Sequence, residues 1–168
     1  MKQALAALLV AYAIFATMLV ATVREMPLQL ASHFDAAGHA NGWMNRDSYV
    51  ELISGTAAGL PFLFIGIALG AGQLRLGSYK IPNRDYWLAA ERRPGTVRIM
   101  LSYMIVFSAL IVLFFAGLHV LVFAANLDAT HPQLSSAGIS VLTGLFLVAT
   151  GIWALSLYRR FLHIGPKP

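Results

Sequence analysis

Four long apolar runs separated by polar stretches set the pattern of this chain. They cover about 3–23, 50–72, 99–125 and 138–158. None shows the period-two alternation of a half-buried strand, and each is near the roughly 20 residues that carry a helix across some 30 Å of hydrocarbon. In lipid a chain must satisfy its own backbone amides and carbonyls, so only helices and closed barrels can span. The pattern predicts an all-α fold, an antiparallel bundle of four transmembrane helices making one membrane domain over 1–168. The first run exceeds the usual signal-peptide core of about 7–15 residues, and no small-x-small cleavage site follows it, so it is expected to remain as a span.

Composition supports lipid as part of the solvent. Of 168 residues, 58% are hydrophobic and 11% charged, against about 25% charged in a soluble domain. The absence of cysteine excludes disulfides, thiolate metal sites and cysteine nucleophiles. The basic side chains then orient the helices. Lys2 precedes the first run; Arg75, Lys80, Arg84, Arg92, Arg93 and Arg98 lie between the second and third; Arg159, Arg160 and Lys167 follow the fourth. The other two connections hold only Arg24 and Arg46, beside Glu25, Asp35, Asp47 and Asp128. The positive-inside rule places both termini and the 73–98 loop in the cytoplasm of a bacterial inner membrane, and the 24–49 loop outside. Topology accounts for the basicity, so nucleic acid is not an expected partner; the lipid bilayer is.

Close helix packing in lipid relies on small residues. Gly55, Gly59, Gly66 and Gly70 fall within roughly 60° of one another on a helix, as two G-x-x-x-G pairs in one stripe. Ser140, Gly144, Gly151 and Ala154 form a weaker one. The stripes are expected to make contacts inside the bundle, or else a seam with a second copy or another membrane protein. Pro61 should kink or loosen the second helix.

The outer loop is expected to be ordered, as a short strand or hairpin over the bundle end. Leu28 to Phe34 reads as extended, Asp35 and Gly38 as a turn, and Asn41-Gly42 as a strong turn signal. Trp43 and Tyr49 suit the membrane–water interface. In the cytoplasmic loop Asn83 is expected to cap a short helix that Pro94-Gly95 ends. Tyr86 and Trp87 would lie at headgroup depth on this interfacial helix. Arg84, Arg92 and Arg93 would reach lipid phosphates or a cytoplasmic partner, and Arg92 and Arg93 could instead pair with Asp85 or Glu91.

Met26-Pro27, His33-Phe34-Asp35-Ala36-Ala37-Gly38 and Gly42-Trp43 resemble the bacterial membrane family called domain of unknown function 1648. That domain also forms the N-terminal part of SdpI-type toxin-immunity proteins. Ile81-Pro82-Asn83-Arg84-Asp85-Tyr86-Trp87, running on to Arg93, is similar to a segment of the same family, with Ala90 where a proline is expected. The resemblance covers about 27–93. It implies a membrane protein that protects against a secreted toxin, coupled to membrane signalling.

Candidate chemistry gathers at the outer end. His33 and Asp35 would share one face of an extended segment. His119 is the intramembrane ionisable residue, a functional candidate by default. His33, Asp35, His39, Trp43 and His119 are therefore the candidate ligand-binding surface. His33, Asp35, His39 and His119 could also ligate zinc or copper, although no fixed ligand spacing supports a metal. The expected roles are that His119 hydrogen-bonds to the outer loop and His33 anchors that loop on the bundle. No Gly-x-Ser-x-Gly, His-Glu-x-x-His or phosphate-loop pattern occurs, so neither an enzyme nor a cofactor is expected. The leading reading is a non-enzymatic immunity, sensing or accessory protein. The alternative is a small subunit of a larger membrane complex, or a small transporter.

Overall fold

The computed structural model describes residues 1–73 and 81–164, with backbone alone for 71–73. Arg75, Lys80 and Lys167 lie outside the described residues. The elements run α1 (Lys2–Thr22), β1 (Gln29–Phe34), β2 (Ala40–Asn45), α2 (Arg46–Gln73), α3 (Arg84–Trp87), α4 (Arg93–Ala125) and α5 (Ser136–Leu162). Helices α1, α2, α4 and α5 are each long and apolar enough to cross a bilayer, so the chain is a multi-pass membrane protein whose helices contact lipid. The outer loop expected from the sequence is a two-stranded antiparallel hairpin. The described basic residues assigned to the termini and the 73–98 loop all belong to the end opposite that hairpin.

The bundle is organised around α4. With 33 residues it is about 50 Å long at 1.5 Å per residue, well beyond the hydrocarbon layer. Helices α1, α2 and α5 each pack against it. Ala4, Leu8, Ala11 and Phe15 turn one stripe of α1 inward, and Ile105, Ala109, Val112, Ala116 and Val122 continue the core along α4. Ala11, Ala57, Ala109 and Ala116 are all buried, so it is alanines that let the backbones approach. By contrast, α5 buries only Phe161. It is a flank, held by an aromatic cluster of Phe107, Phe114, Phe146 and Trp153 and by the Trp153 indole N–H, which donates to the Tyr103 carbonyl at 2.8 Å.

The glycine stripe does not make the contacts expected inside the bundle. Tyr49, Ile53, Ala57, Pro61 and Ala68 form the buried face of α2. Gly55, Gly59, Gly66 and Gly70 sit roughly 160° around the helix from it. Among the described residues, a Cβ built on any of the four meets nothing within 4 Å, and the same holds for Gly144 and Gly151. The glycines that permit close approach are Gly117 and Gly138. A Cβ there would lie 2.6 Å from Leu142 Cδ1 and 2.7 Å from Leu121 Cδ2 respectively.

Pro61 does not break α2, which runs through it. Proline lacks the N–H that would bond to the carbonyl four residues back, that of Ala57. The Tyr12 hydroxyl of α1 donates to this carbonyl at 3.3 Å. A neighbouring helix thus satisfies the group the proline sets free.

The basic end departs from expectation in three ways. Asn83 is at the N-cap of α3 but in the left-handed region (φ 51°) and makes no side-chain cap. Its amide donates instead to the Phe161 and Leu162 carbonyls of α5, at 3.1 and 2.9 Å. Trp87, expected among headgroups, donates its indole N–H to the Phe161 carbonyl at 2.9 Å and stands edge-on to the Phe161 ring. The last carbonyls of a helix have no partner within it, and these two side chains supply one. Finally, Pro94 does not end the loop helix but lies in the first turn of α4, where its missing N–H costs nothing and its φ suits the helix. Arg92 pairs with Glu91 at 3.1 Å and stacks over Tyr86. Arg84 pairs with Asp85 at 3.7 Å.

Gly117→Ile should lower unfolding stability in detergent by about 1–3 kcal/mol, the usual cost of overpacking a close contact. Gly59→Ile should change the monomer by less than about 0.5 kcal/mol, as expected of an open surface site. Equal costs for the two would contradict this arrangement.

Candidate recognition site at the hairpin end

The hairpin is built from short-range rules and then locked by long-range ones. Asp35 closes its tip: one carboxylate oxygen accepts the Ala37 and His39 amides, both at 2.9 Å. Gly38 takes φ +88°, a conformation that suits glycine. Its missing Cβ leaves room for the Leu134 carbonyl, and its own carbonyl accepts the Leu134 amide at 2.9 Å. His39 forms a bridge with Gln133. The connection between α4 and α5 therefore packs directly on the hairpin tip. Asn41-Gly42 is not a turn but part of β2. Gly42 is there because the His33 side chain lies across it, within 3.0–3.2 Å of where a Cβ would be.

The residue that fastens the hairpin to the helices is Asn126, just beyond the end of α4. Its side-chain oxygen accepts the Ala31 amide at 2.8 Å, and its side-chain nitrogen donates to the Ala31 and Val122 carbonyls, each at 2.9 Å. Leu30, Ala31 and Asn126 are all buried. A strand amide and carbonyl that would otherwise be desolvated without partners are both satisfied by one carboxamide. His33, expected to be the anchor, is exposed, and among the described residues its side chain hydrogen-bonds only to the neighbouring Ser32 hydroxyl, at 3.0 Å. The sequence signal that could have identified Asn126 is a lone amide at the end of an otherwise apolar helix.

His119 bonds into the 24–49 segment as expected, through Tyr49, which the fold places in α2, and it also bonds to α1. It is fully buried. Its Nε2 lies 2.7 Å from the Thr22 hydroxyl at the end of α1, and its Nδ1 3.0 Å from the Tyr49 hydroxyl in the first turn of α2. The Thr22 hydroxyl donates its proton to the Met18 carbonyl at 2.8 Å, so it accepts from His119. The Tyr49 hydroxyl then donates to Nδ1, which fits a neutral imidazole protonated at Nε2. Tyr49 is correspondingly buried rather than interfacial. His119 ties three helices together and has no ring nitrogen left for a ligand.

The candidate residues are thus dispersed. His33 and Asp35 do not share a strand face, because β1 ends at Phe34 and the pairing is irregular on both sides of His33. Asp35 pairs with His39 at 3.4 Å on the exposed tip, and Trp43 is 54% exposed. Among the described residues, no three His, Asp or Glu side chains converge as metal ligands would. Asp35 is held below the ordinary aspartate value by the His39 amide first, then by the Ala37 amide and the His39 imidazole. Asp128 in the facing connection is likewise held low, chiefly by hydrogen bonds from Thr130 and from the His131 amide.

Between the hairpin, α2 and α4 lies a cavity of about 600 Å³. Ser32, His33 and Asn41 give its rim polar groups, while Leu52, Phe115 and Leu118 form apolar wall. This is within the range of about 300–1,000 Å³ usual for small-molecule sites, and the combination of apolar wall and few polar groups is their usual lining.

Asn126→Ala should cost about 2–6 kcal/mol in unfolding experiments, because it strands two buried backbone groups at about 1–3 kcal/mol each. It should also open the hairpin to protease, whereas His33→Ala should cost less than about 0.5 kcal/mol. The Asp35 carboxyl should titrate below 3.8 by NMR of the micelle-bound chain. Because folding lowers this value, its stabilisation of the tip is complete above the ordinary value and is lost as pH falls through the depressed one. Gly38→Ala, which disrupts the turn, should return the titration to the ordinary value; an unmoved titration would contradict the turn's role.

Comparison of the chain with protein-family models, with curated proteins and with solved structures finds no match.

Proposed function

We propose that this chain is a non-enzymatic protein of the bacterial cytoplasmic membrane, with both termini inside, that uses its hairpin end outside the cell as a recognition surface in an immunity, sensing or accessory role. The observation that carries this reading is the preformed cavity of about 600 Å³ roofed by the hairpin. The Asn126 clamp and the Gly38–Leu134 contact hold that roof in place, so recognition would not have to supply the entropy of ordering a loop. The exposed side chains of Leu28 and Trp43 at the hairpin end give a partner apolar surface of the kind that interfaces use. The distribution of basic residues supports the orientation, and the resemblance to domain of unknown function 1648 supports an immunity-related role.

The alternative of a subunit in a larger membrane complex has one observation in its favour. Among the described residues, nothing covers α2 at Gly55, Gly59, Gly66 and Gly70, a surface on which another helix could pack closely.

Since the chain contains no cysteine, single cysteines report sidedness cleanly. Trp43→Cys should react with a membrane-impermeant maleimide on intact cells, and Glu91→Cys only after permeabilisation. The reverse pattern would reject the outer recognition surface. Loss of the protein should sensitise cells to a toxin in the medium of sibling cultures if the role is immunity, and unchanged survival would reject that role.

A further inference from the structure

The cavity beneath the hairpin has a chemistry that narrows its occupant, and this inference rests on the reading of the hairpin end as a recognition surface. We propose that it binds an uncharged single-chain amphiphile, with the hydrocarbon tail against α2 and α4 and a hydroxyl, ester or amide head at Ser32, His33 and Asn41.

Three observations lead there. The first is the distribution of polarity. On the helix side Leu52, Ile53, Phe115, Leu118 and Val122 are apolar, and the hydroxyls of Tyr49 and Thr56 are already committed to His119 and to the Leu52 carbonyl, whereas the hairpin side carries hydrogen-bonding groups. A plain hydrocarbon would leave that rim desolvated and unpaired, and a wholly polar solute would be placed against apolar wall. The second is charge. No lysine, arginine, aspartate or glutamate lines the cavity. A charged headgroup drawn in would lose water without meeting a fixed opposite charge, but a neutral head needs only donors and acceptors. The Asn41 amide, and the His33 ring nitrogen that does not face Ser32, have no hydrogen-bond partner among the described residues.

The third is position. The cavity lies where the apolar span of α2 begins and the hairpin ends, so an amphiphile seated in it has its tail at the depth of the helices and its head at the depth of the strands. Leu52, a wall residue that is 56% exposed, brings the cavity to the flank of the bundle, a route by which a tail can enter from the side. The site is also preorganised. Tyr49 on its floor is fixed by His119, and the roof is fixed by Asn126.

The test uses the full chain in phosphatidylcholine nanodiscs, with a long-chain monoacylglycerol carrying a photoreactive diazirine at the tail end as the probe. Mass spectrometry should find the label concentrated on Leu52, Phe115 and Leu118. Excess unlabelled monoacylglycerol should compete it away, and the matched fatty acid should not. Leu118→Trp, which fills the cavity, should cut labelling about tenfold while the hairpin stays protease-resistant. The paired change Ser32→Ala and Asn41→Ala should weaken competition about tenfold, the equivalent of one or two lost hydrogen bonds. Native mass spectrometry of protein extracted from membranes without additive separates the two sources of such a molecule. A retained neutral lipid indicates the bilayer, and occupancy only after addition indicates a ligand from outside.

Label spread evenly onto lipid-facing residues of α5 such as Leu147 and Val148, unaffected by Leu118→Trp, would overturn the proposal. Equal competition by the fatty acid would overturn the assignment of a neutral head. Because binding in nanodiscs does not depend on sidedness, this experiment and the cysteine labelling can each fail without the other.

Discussion

A backbone amide or carbonyl in a hydrocarbon layer must find a partner within the protein, and three sites along this chain are arranged around that requirement. At one end, strand β1 is pressed against the bundle with Leu30 and Ala31 buried, and the Asn126 carboxamide answers both polar groups of Ala31. At the other, the last carbonyls of α5 are met by Asn83 and Trp87, while the Thr96 hydroxyl donates to the Trp87 carbonyl at 2.6 Å. In the middle, the carbonyl released by Pro61 is met by Tyr12. Apart from the Thr96 bond, these contacts lie between residues far apart in the chain. The same few polar side chains that prevent unpaired groups therefore also set which helix end meets which loop.

The length of α4 makes this possible. A helix about 50 Å long projects from the hydrocarbon layer, so Thr96 near one end and Asn126 beyond the other can engage the connecting segments. Helices α1 and α2 pack on α4 through alanines, and His119 joins all three at the hairpin end. The fourth span is held by aromatic packing along one side. The result is a three-helix core with a flanking helix rather than a symmetrical bundle, and this asymmetry leaves the space between α2, α4 and the hairpin unfilled.

That space gives the hairpin its functional interest. The ionisable residues that stand out at this end mostly have structural tasks: His119 as a tie between helices, Asp35 and His39 at the hairpin tip. On the cavity rim, above an apolar wall, the Asn41 side chain and one His33 ring nitrogen have no hydrogen-bond partner among the described residues. Such a lining discriminates by shape and by hydrogen bonding more than by charge, and it does so beside a bilayer that supplies amphiphiles at high local concentration.

Much of the architecture could be read from the chain alone. Four apolar runs of spanning length, an ordered loop with a turn at Asp35 and Gly38, and the segregation of basic residues all depend on local composition and on the dimensions of a bilayer, which act on each segment separately. What tertiary structure decided was which polar group faces which, and which face of a helix is inside. The glycines of α2 satisfy the sequence rule for close packing yet lie on the open side, because helical periodicity identifies a stripe without saying what it meets. His33 stands out as a ligand type but anchors nothing, and Asn126, a single amide after an apolar run, carries the clamp. The physical reason is that a hydrogen bond between residues 95 positions apart leaves no periodic trace in the sequence. It exists only once α4 has brought its end beneath the hairpin.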